Sequence, residues 1–206
     1  MKNIIGILTI VFFISGCDNN VFFEKIGLKE KITTVIQTRN GIVYLPNSDE
    51  SFTGKYVIYY SNGQKKTEIN YKEGKRNRLT TGWYENGQKE SETNYKDGKR
   101  NGLAIGWYEN GQKDSEINYQ DGKVNGLATE WFEDGQKESE INYQGGKKNG
   151  LATEWYENGQ KESETNYEDG QKVSQTNYED GQKNELATGW YENGPKKSEK
   201  NYLDGI

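Results

Sequence analysis

The sequence predicts an all-β fold, an elongated single-sheet antiparallel meander of β-hairpin repeats preceded by a cleaved signal peptide. Tryptophan recurs at a constant spacing, at positions 83, 107, 131 and 155, and again at 190. Asn-Gly and Asp-Gly dipeptides, which are strong turn signals, alternate between short segments rich in β-forming residues. No proline occurs between positions 47 and 194, so nothing interrupts a continuous ladder of strands.

The composition favours a repeat array over a globular core. Only 31% of the residues are hydrophobic and 29% are charged. The 15 Tyr, 6 Phe and 5 Trp residues supply most of the large apolar surface, and the tryptophans are evenly spaced. We therefore expect each repeat to bury its few large side chains against the neighbouring repeats.

Charge and residue usage exclude several classes of function. A net charge of -5 with interspersed signs argues against nucleic-acid binding. The chain has no His and one Cys, so it lacks the usual zinc ligands and the common nucleophile–base pairs. Carboxylate pairs such as Glu138 and Glu140 recur in most repeats, whereas a glycosidase needs one unique pair. We expect no catalytic residues, no cofactor and no metal site.

The first residues, 1–16, are predicted to be a lipoprotein signal peptide. Lys2 precedes an apolar run at 4–14, which is short for a membrane span but suits a signal-peptide core. The run ends in Ser15-Gly16-Cys17, which resembles the bacterial lipobox. That resemblance implies cleavage before Cys17 and attachment of a lipid such as palmitate to Cys17. An ordinary secretory signal and a short membrane anchor are the alternatives.

Two further regions follow in the mature chain. Residues 17–51 are predicted to hold a tether and an N-terminal hairpin, in which the runs within 32–45 flank Asn40-Gly41. Residues 52–206 are predicted to form the repeat array, with two strands in each repeat and 13 or 14 strands in all.

Loop length decides which side chains share a face of the sheet. We expect a three-residue loop at Glu109-Asn110-Gly111, with Gly111 at positive φ, and another at 120–122. One face should then carry Leu103, Ile105, Trp107, Ile117, Tyr119, Leu127 and Trp131. The other should carry Ala104, Gly106, Tyr108, Glu116, Asn118 and Glu130.

The array has an irregularity near residues 162–183. The segment 163–172 is nearly repeated at 174–183, which indicates an 11-residue duplication that inserts one extra strand. To keep Tyr178 on the aromatic face, the Asp169-Gly170 loop should be one residue longer than its counterparts. Arg78 and Glu185 replace a glycine that most repeats hold, which predicts strain if that glycine has positive φ.

The repeated unit, NGLAxxWYENGQKESExNYxDGK, resembles the bacterial variant of the MORN repeat over residues 52–206. The resemblance implies a β-hairpin array used for binding or scaffolding. Members of that family are often lipoproteins, and some resemble antitoxin components. A weaker resemblance is to choline-binding cell-wall repeats.

The candidate site residues are Cys17, for lipid attachment, and the five tryptophans, Trp83, Trp107, Trp131, Trp155 and Trp190. The tryptophans are either repeat core, which we favour, or a shelf for a sugar, peptide or lipid group. The function we expect is that of a protein-interaction scaffold anchored in the bacterial cell envelope through Cys17. An antitoxin or immunity role against a toxin partner, and binding of cell-wall glycan or lipid headgroups, are the alternatives.

Overall fold

The computed structural model describes residues 21–24, 32–33, 36–190 and 196–200. The predicted signal peptide and Cys17 lie outside the described residues, as does the side chain of Trp190. The described residues form strands and turns without a helix. Among them there is accordingly no helix of the length and apolarity that a membrane span requires.

Seventeen strands are described. They are β1 (Val21–Glu24), β2 (Ile32–Thr33), β3 (Gln37–Arg39), β4 (Ile42–Tyr44), β5 (Gly54–Tyr59), β6 (Lys65–Lys72), β7 (Lys75–Trp83), β8 (Lys89–Lys96), β9 (Lys99–Trp107), β10 (Lys113–Gln120), β11 (Lys123–Trp131), β12 (Lys137–Gln144), β13 (Lys147–Trp155), β14 (Lys161–Glu168), β15 (Gln171–Glu179), β16 (Gln182–Trp190) and β17 (Lys196–Lys200).

Fifteen of these strands form one antiparallel sheet. From β5 to β17 each strand pairs with the next strand in the chain, which confirms the all-β single-sheet meander. β1 pairs with β5, and β2 pairs with β1 at the edge of the sheet. β3 and β4 form a separate hairpin. The predicted hairpin at 32–45 is therefore too long, because Ile32–Thr33 belongs to the main sheet.

The Asn-Gly turns have the expected three-residue loop. The amide of Tyr108 donates to the carbonyl of Gln112 at 2.9 Å, and the amide of Gly111 donates to the carbonyl of Tyr108 at 2.9 Å. Gly111 has a φ of 87°, a conformation that glycine adopts without a steric penalty. The loop therefore begins β10 with Lys113 opposite Trp107, as expected.

A β-bulge then changes the register of every such hairpin. After the Lys113–Trp107 pair, Ser115 lies opposite Gly106, so Asp114 is an extra residue on β10. Ile117 consequently pairs with Ala104, and the expected Leu103–Ile117 pair is wrong. Since side chains alternate along a strand, this one-residue slip moves Ile117 to the face opposite Trp107.

The Asp-Gly turns are shorter than expected. Gln120 pairs with Lys123, so the loop is Asp121-Gly122 alone, and the three-residue loop at 120–122 is wrong. Asp121 has a φ of 50° and Gly122 a φ of 87°, which fits a type I′ turn. Aspartate tolerates this left-handed conformation, and the turn matches the twist of paired strands.

The apolar side chains are consequently divided between two faces, and the single apolar face expected for Leu103, Trp107, Ile117 and Tyr119 is wrong. We call one the tryptophan face; it carries Trp83, Trp107, Trp131 and Trp155 with Leu103, Leu127, Glu116 and Asn118. We call the other the tyrosine face; it carries Tyr71, Tyr95, Tyr119, Tyr143 and Tyr167 with Ala104, Ala128, Ala152, Ile117 and Ile141.

β15 lies where the duplication predicts an inserted strand. Its Asp169-Gly170 turn is as short as the others, because Glu168 pairs with Gln171, so the longer loop expected there is wrong. Val173 is instead an extra residue between the paired positions Lys172 and Ser174. This bulge turns Tyr178 towards Glu164 on the tryptophan face, where its hydroxyl donates to the carboxylate at 2.6 Å.

A hydrophobic core forms where the β3–β4 hairpin covers the tyrosine face of β5 to β7. The amide of Val43 donates to the carbonyl of Gly74 at 3.0 Å, and the amide of Phe52 donates to the carbonyl of Val43 at 2.8 Å. Five buried side chains form the cluster beneath the hairpin: Val43, Phe52, Tyr56, Ile69 and Tyr71. The described residues further along the tyrosine face have no comparable cover.

Arg78 provides a test of backbone strain. It has a φ of 69°, and its counterpart Gly126 has a φ of 94° with open space around the position of a Cβ. We expect Arg78→Gly to stabilise β7 by up to about 1 kcal/mol, because the left-handed conformation costs a non-glycine residue ~1–2 kcal/mol and glycine loses more chain entropy. Gly126→Ala should destabilise β11 by a similar amount. Urea unfolding would measure both, and an unchanged midpoint for Gly126→Ala would contradict the interpretation.

Candidate functional site

The tryptophan rings lie beneath lysines from the preceding hairpin. The Lys65 ammonium lies 5.5 Å from the centre of the Trp83 ring, and Lys89 lies 5.6 Å from that of Trp107. The same contact recurs for Lys113 over Trp131 and for Lys137 over Trp155. Cations over indole faces attract the ring quadrupole, so each hairpin is held to the next.

Each of these lysines also forms an ion pair with a glutamate on its own strand. The distances are 2.8 Å for Lys65–Glu68, 2.6 Å for Lys89–Glu92, 2.5 Å for Lys113–Glu116 and 2.5 Å for Lys137–Glu140. The charges of the tryptophan face are therefore matched within the chain. Each ring is partly buried with a lysine over it, and each of these lysines is paired with a glutamate, which favours the core interpretation of the tryptophans.

Tyr178 replaces tryptophan in the last such contact among the described residues. The Lys161 ammonium lies 5.1 Å from the Tyr178 ring centre and 2.6 Å from the Glu164 carboxylate. Hydrogen bonds from Lys161 and from Tyr178 lower the pKa of Glu164. Burial and the neighbouring Glu164 raise the pKa of Tyr178 to about 12. The extra strand thus preserves the contact without a tryptophan.

Two hydrogen bonds tie successive Asn-Gly turns together. The hydroxyl of Tyr84 donates to the carbonyl of Trp107 at 2.6 Å, and Tyr108 donates to Trp131 in the same way. The side-chain amide of Asn110 donates to the carbonyl of Glu133 at 2.8 Å. These ties run along the edge of the sheet and fix the spacing between hairpins.

Both ties are interrupted between the fourth of these turns, at 134–135, and the fifth, at 158–159. Phe132 stands where Tyr108 stands one repeat earlier, and it has no hydroxyl to donate. Asp134 stands in place of Asn110; its carboxylate still accepts from the amide of Gln136 at 2.8 Å but has no donor for the next turn. An open groove of about 480 Å³ lies between the two hairpins at this place.

Restoring one tie gives a direct test. We expect Phe132→Tyr to stabilise the array by about 1 kcal/mol, since its hydroxyl can donate to the carbonyl of Trp155 as Tyr108 does to that of Trp131. Tyr108→Phe should cost about the same. Thermal unfolding would measure both variants, and a loss of stability in Phe132→Tyr would show that the tie is not transferable.

Carboxylates concentrate on the tyrosine face beside the Asn-Gly turns. Glu130 and Glu154 stand where earlier repeats have Gly82 and Gly106, and the groove is lined by Glu130, Glu138, Glu154 and Glu162. Ser139 and Ser163 donate to Glu130 and Glu154 at 3.1 and 2.8 Å. Within the described part of the chain none of these four carboxylates forms an ion pair, in contrast to the glutamates of the tryptophan face.

The opposite side of the tyrosine face is basic. Arg100 donates to the hydroxyl of Tyr119 at 2.9 Å, and Arg76 donates to that of Tyr95 at 3.2 Å. Burial raises the pKa of Tyr95, but hydrogen bonds from Arg100 and Arg76 outweigh it and leave the pKa below its ordinary value. The tyrosine face therefore has an acidic side, an apolar middle of Ile and Ala, and a basic side.

No group of His, Cys, Asp or Glu suited to a metal ion occurs among the described residues. Glu138 and Glu140 lie on opposite faces, because Glu138 lines the groove and Glu140 pairs with Lys137. Sequence reasoning missed the groove; its signal was the change from Gly106 to Glu130 and Glu154 at one repeat position.

Comparison with known proteins agrees with the repeat structure. No curated protein matches the chain. The family model for the MORN repeat variant matches five segments that together cover about half of the chain: residues 52–73, 79–97, 100–121, 124–144 and 148–169. Repeats of this kind indicate a binding or scaffold role. The chain belongs to the MORN repeat variant family.

Proposed function

We propose that the protein is a membrane-anchored, non-catalytic scaffold lipoprotein whose tyrosine face binds another protein. The observation that carries this proposal is the contrast between equivalent positions on that face. Ile69, beneath the β3–β4 hairpin, is 4% exposed, whereas its counterpart Ile141 is half-buried. The chain covers its own first repeat and leaves the same surface open over the following ones, which supports a role for the open part in binding.

The tryptophan face is a weaker candidate for the binding surface. Its rings lie beneath lysines that are themselves paired with glutamates. A sugar stacking on Trp107 would have to displace Lys89, so the arrangement gives less support to binding of cell-wall glycan. A toxin remains one form that the protein partner could take, with the chain as its antitoxin.

The binding role can be tested with a photo-crosslinking residue placed at single positions in the native host. A crosslinker at position 141, on the tyrosine face, should give a discrete adduct with another protein. The matched control is position 127, where Leu127 is 43% exposed on the tryptophan face of the neighbouring strand. Equal crosslinking from both positions, or none from 141, would contradict the proposal.

The anchor rests on the apolar run at 4–14 and on Ser15-Gly16-Cys17. Two or more acyl chains at Cys17 would hold the protein stably at a membrane, because each buried CH₂ contributes ~0.8 kcal/mol. We expect Cys17→Ser to abolish labelling by radioactive palmitate and to release the protein from the membrane fraction. Ser15→Ala keeps a small residue beside the thiol and should change neither result. Membrane retention of unlabelled Cys17→Ser would refute the lipid anchor.

A further inference from the structure

The carboxylates on the acidic side of the tyrosine face differ from the glutamates of the tryptophan face, because no ion pair with a cation of the described residues matches them. On the tryptophan face Glu116 and Glu140 each have a lysine within 2.5 Å. Within the described part of the chain, Glu130 and Glu154 each accept a hydrogen bond from a serine hydroxyl and form no ion pair. Like charges placed side by side repel one another, and a cation brought to them from outside relieves that repulsion.

An apolar strip runs beside these carboxylates. It is formed by Ala104, Ile117, Ala128, Ile141 and Ala152, which are paired directly across the ladder. At the first repeat the β3–β4 hairpin packs on the equivalent strip, and its Val43 is buried against Ile69 and Tyr71. The chain itself therefore shows that an extended segment with a β-branched apolar side chain fits this surface.

We propose that the tyrosine face from β8 to β14 is the docking surface for a basic, extended segment of a partner protein. Its apolar side chains would lie on the Ile and Ala strip, and its lysines or arginines would enter the groove between Glu130, Glu138, Glu154 and Glu162. The proposal rests on the scaffold function above and names the chemistry of the partner. Phe132 and Tyr156 also line the groove, and aromatic rings can attract a cation placed over their faces.

A second copy of the chain does not fit this surface. Two copies can meet face to face about a two-fold axis along the strands or about one across them. The first places the acidic side of one copy over the acidic side of the other, so Glu138 would face carboxylates. The second places the β3–β4 hairpins of both copies in the space between sheets that pack only ~10 Å apart. The partner is therefore another protein with complementary charge.

The interruption of the hairpin ties coincides with the groove. The groove lies where Phe132 lacks the hydroxyl and Asp134 lacks the amide that join the earlier turns. Each change removes a hydrogen bond between adjacent hairpins, and Asp134 adds a further negative charge to the turn. The additional carboxylate Glu130, the loss of the two hydrogen bonds and the groove therefore occur in the same repeat.

The test uses the full chain and a peptide of about ten residues with alternating valine and lysine. That length spans β8 to β14 at ~4.8 Å per strand and ~3.3 Å per peptide residue. Fluorescence anisotropy of the labelled peptide should show saturable binding that weakens as salt is raised. Peptides alternating valine with glutamate, or serine with lysine, should bind at least ~10-fold more weakly, since each lacks one of the two contacts.

Matched variants locate the contact. Replacing Glu130, Glu138, Glu154 and Glu162 together by Gln should weaken binding of the valine–lysine peptide at least ~10-fold. The control replaces Glu92, Glu116 and Glu140 by Gln on the tryptophan face and should leave binding unchanged. Circular dichroism checks that each variant is folded. If the quadruple variant does not fold, the binding measurement uses Glu154→Gln alone.

The outcomes separate the two proposals. Equal binding of the valine–lysine and serine–lysine peptides, or equal loss of binding in both sets of variants, would overturn the assignment of a basic segment to this face. If crosslinking from position 141 nevertheless yields an adduct, the scaffold function stands and the chemistry of its partner is wrong. If position 141 gives no adduct and the valine–lysine peptide does not bind, the tyrosine face is not a binding surface.

Discussion

Gly74→Ala is expected to detach the β3–β4 hairpin from the sheet. A Cβ at this position would lie 2.4 Å from a methyl group of Ile42 and 2.7 Å from the backbone oxygen of Val43. Real Cβ atoms do not approach backbone this closely, so the hairpin must move. The strain of a φ of +71° in a non-glycine residue adds ~1–2 kcal/mol.

The total cost should be at least about 3 kcal/mol, because burial of each large apolar side chain contributes ~1.5–3 kcal/mol and the hairpin covers several. Hydrogen exchange should show lost protection in β3 and β4 and at the amide of Phe52, which donates to Val43. Strands from β9 onwards should be unaffected, because in a repeat array each unit contacts only its neighbours.

Gly98→Ala is the matched control for this prediction. Gly98 occupies the same turn position one repeat later and has a φ of +85°, but a Cβ there would meet only the stem of Lys75 at 3.6 Å. It carries the backbone strain without the steric clash, so we expect a cost of about 1–2 kcal/mol. Equal destabilisation by both variants would show that the hairpin is not held at Gly74.

The large-scale fold could be predicted from the sequence because its signals are repeated. The tryptophan spacing and the Asn-Gly turns fix strand number, strand direction and the loop around Gly111. Each turn dipeptide recurs in most repeats at the same spacing, so a chance occurrence at one position can be recognised by comparison with the other repeats. Turn chemistry of this kind is local and depends on few residues.

The division of side chains between the faces could not be predicted because it depends on single-residue slips. The bulge at Asp114 has no turn dipeptide and no glycine, and a charged residue is compatible with either register there. The Asp121-Gly122 turn suits a two-residue loop, but the expectation of one apolar face argued for three. In this sheet the tryptophans lie on the face opposite the Ile and Ala side chains, where lysines from the preceding hairpin lie over their rings.

The acidic groove follows from that same division. With Trp131 and Ile141 on one face, as the sequence suggested, Glu130 and Glu138 would have been ordinary solvated residues. Once the bulge places Ile141 beside Glu130, the carboxylates border an apolar strip. A one-residue slip therefore changes which residues share a face and can act together, and the sequence pattern alone does not predict it.

Ile69→Ala should have a large effect, at about 2–4 kcal/mol, because Ile69 is 4% exposed beneath the β3–β4 hairpin. Ile141→Ala removes the same atoms from the same repeat position, where the side chain is half-buried, and should cost about 1 kcal/mol in the isolated protein. Hydrogen exchange of β6 and β12 would measure the two costs locally. Equal costs would mean that the hairpin adds nothing to the burial of Ile69.

The comparison changes if a partner covers the open part of the tyrosine face. Bound peptide would then bury Ile141 as the hairpin buries Ile69, and the cost of Ile141→Ala should rise when the valine–lysine peptide is added. A ligand that binds only the folded state stabilises it by RT ln(1 + [L]/Kd), so a variant with weaker affinity gains less. The cost of Ile69→Ala should stay constant, because the hairpin already occupies that site. A rise in both costs would place the peptide elsewhere on the array.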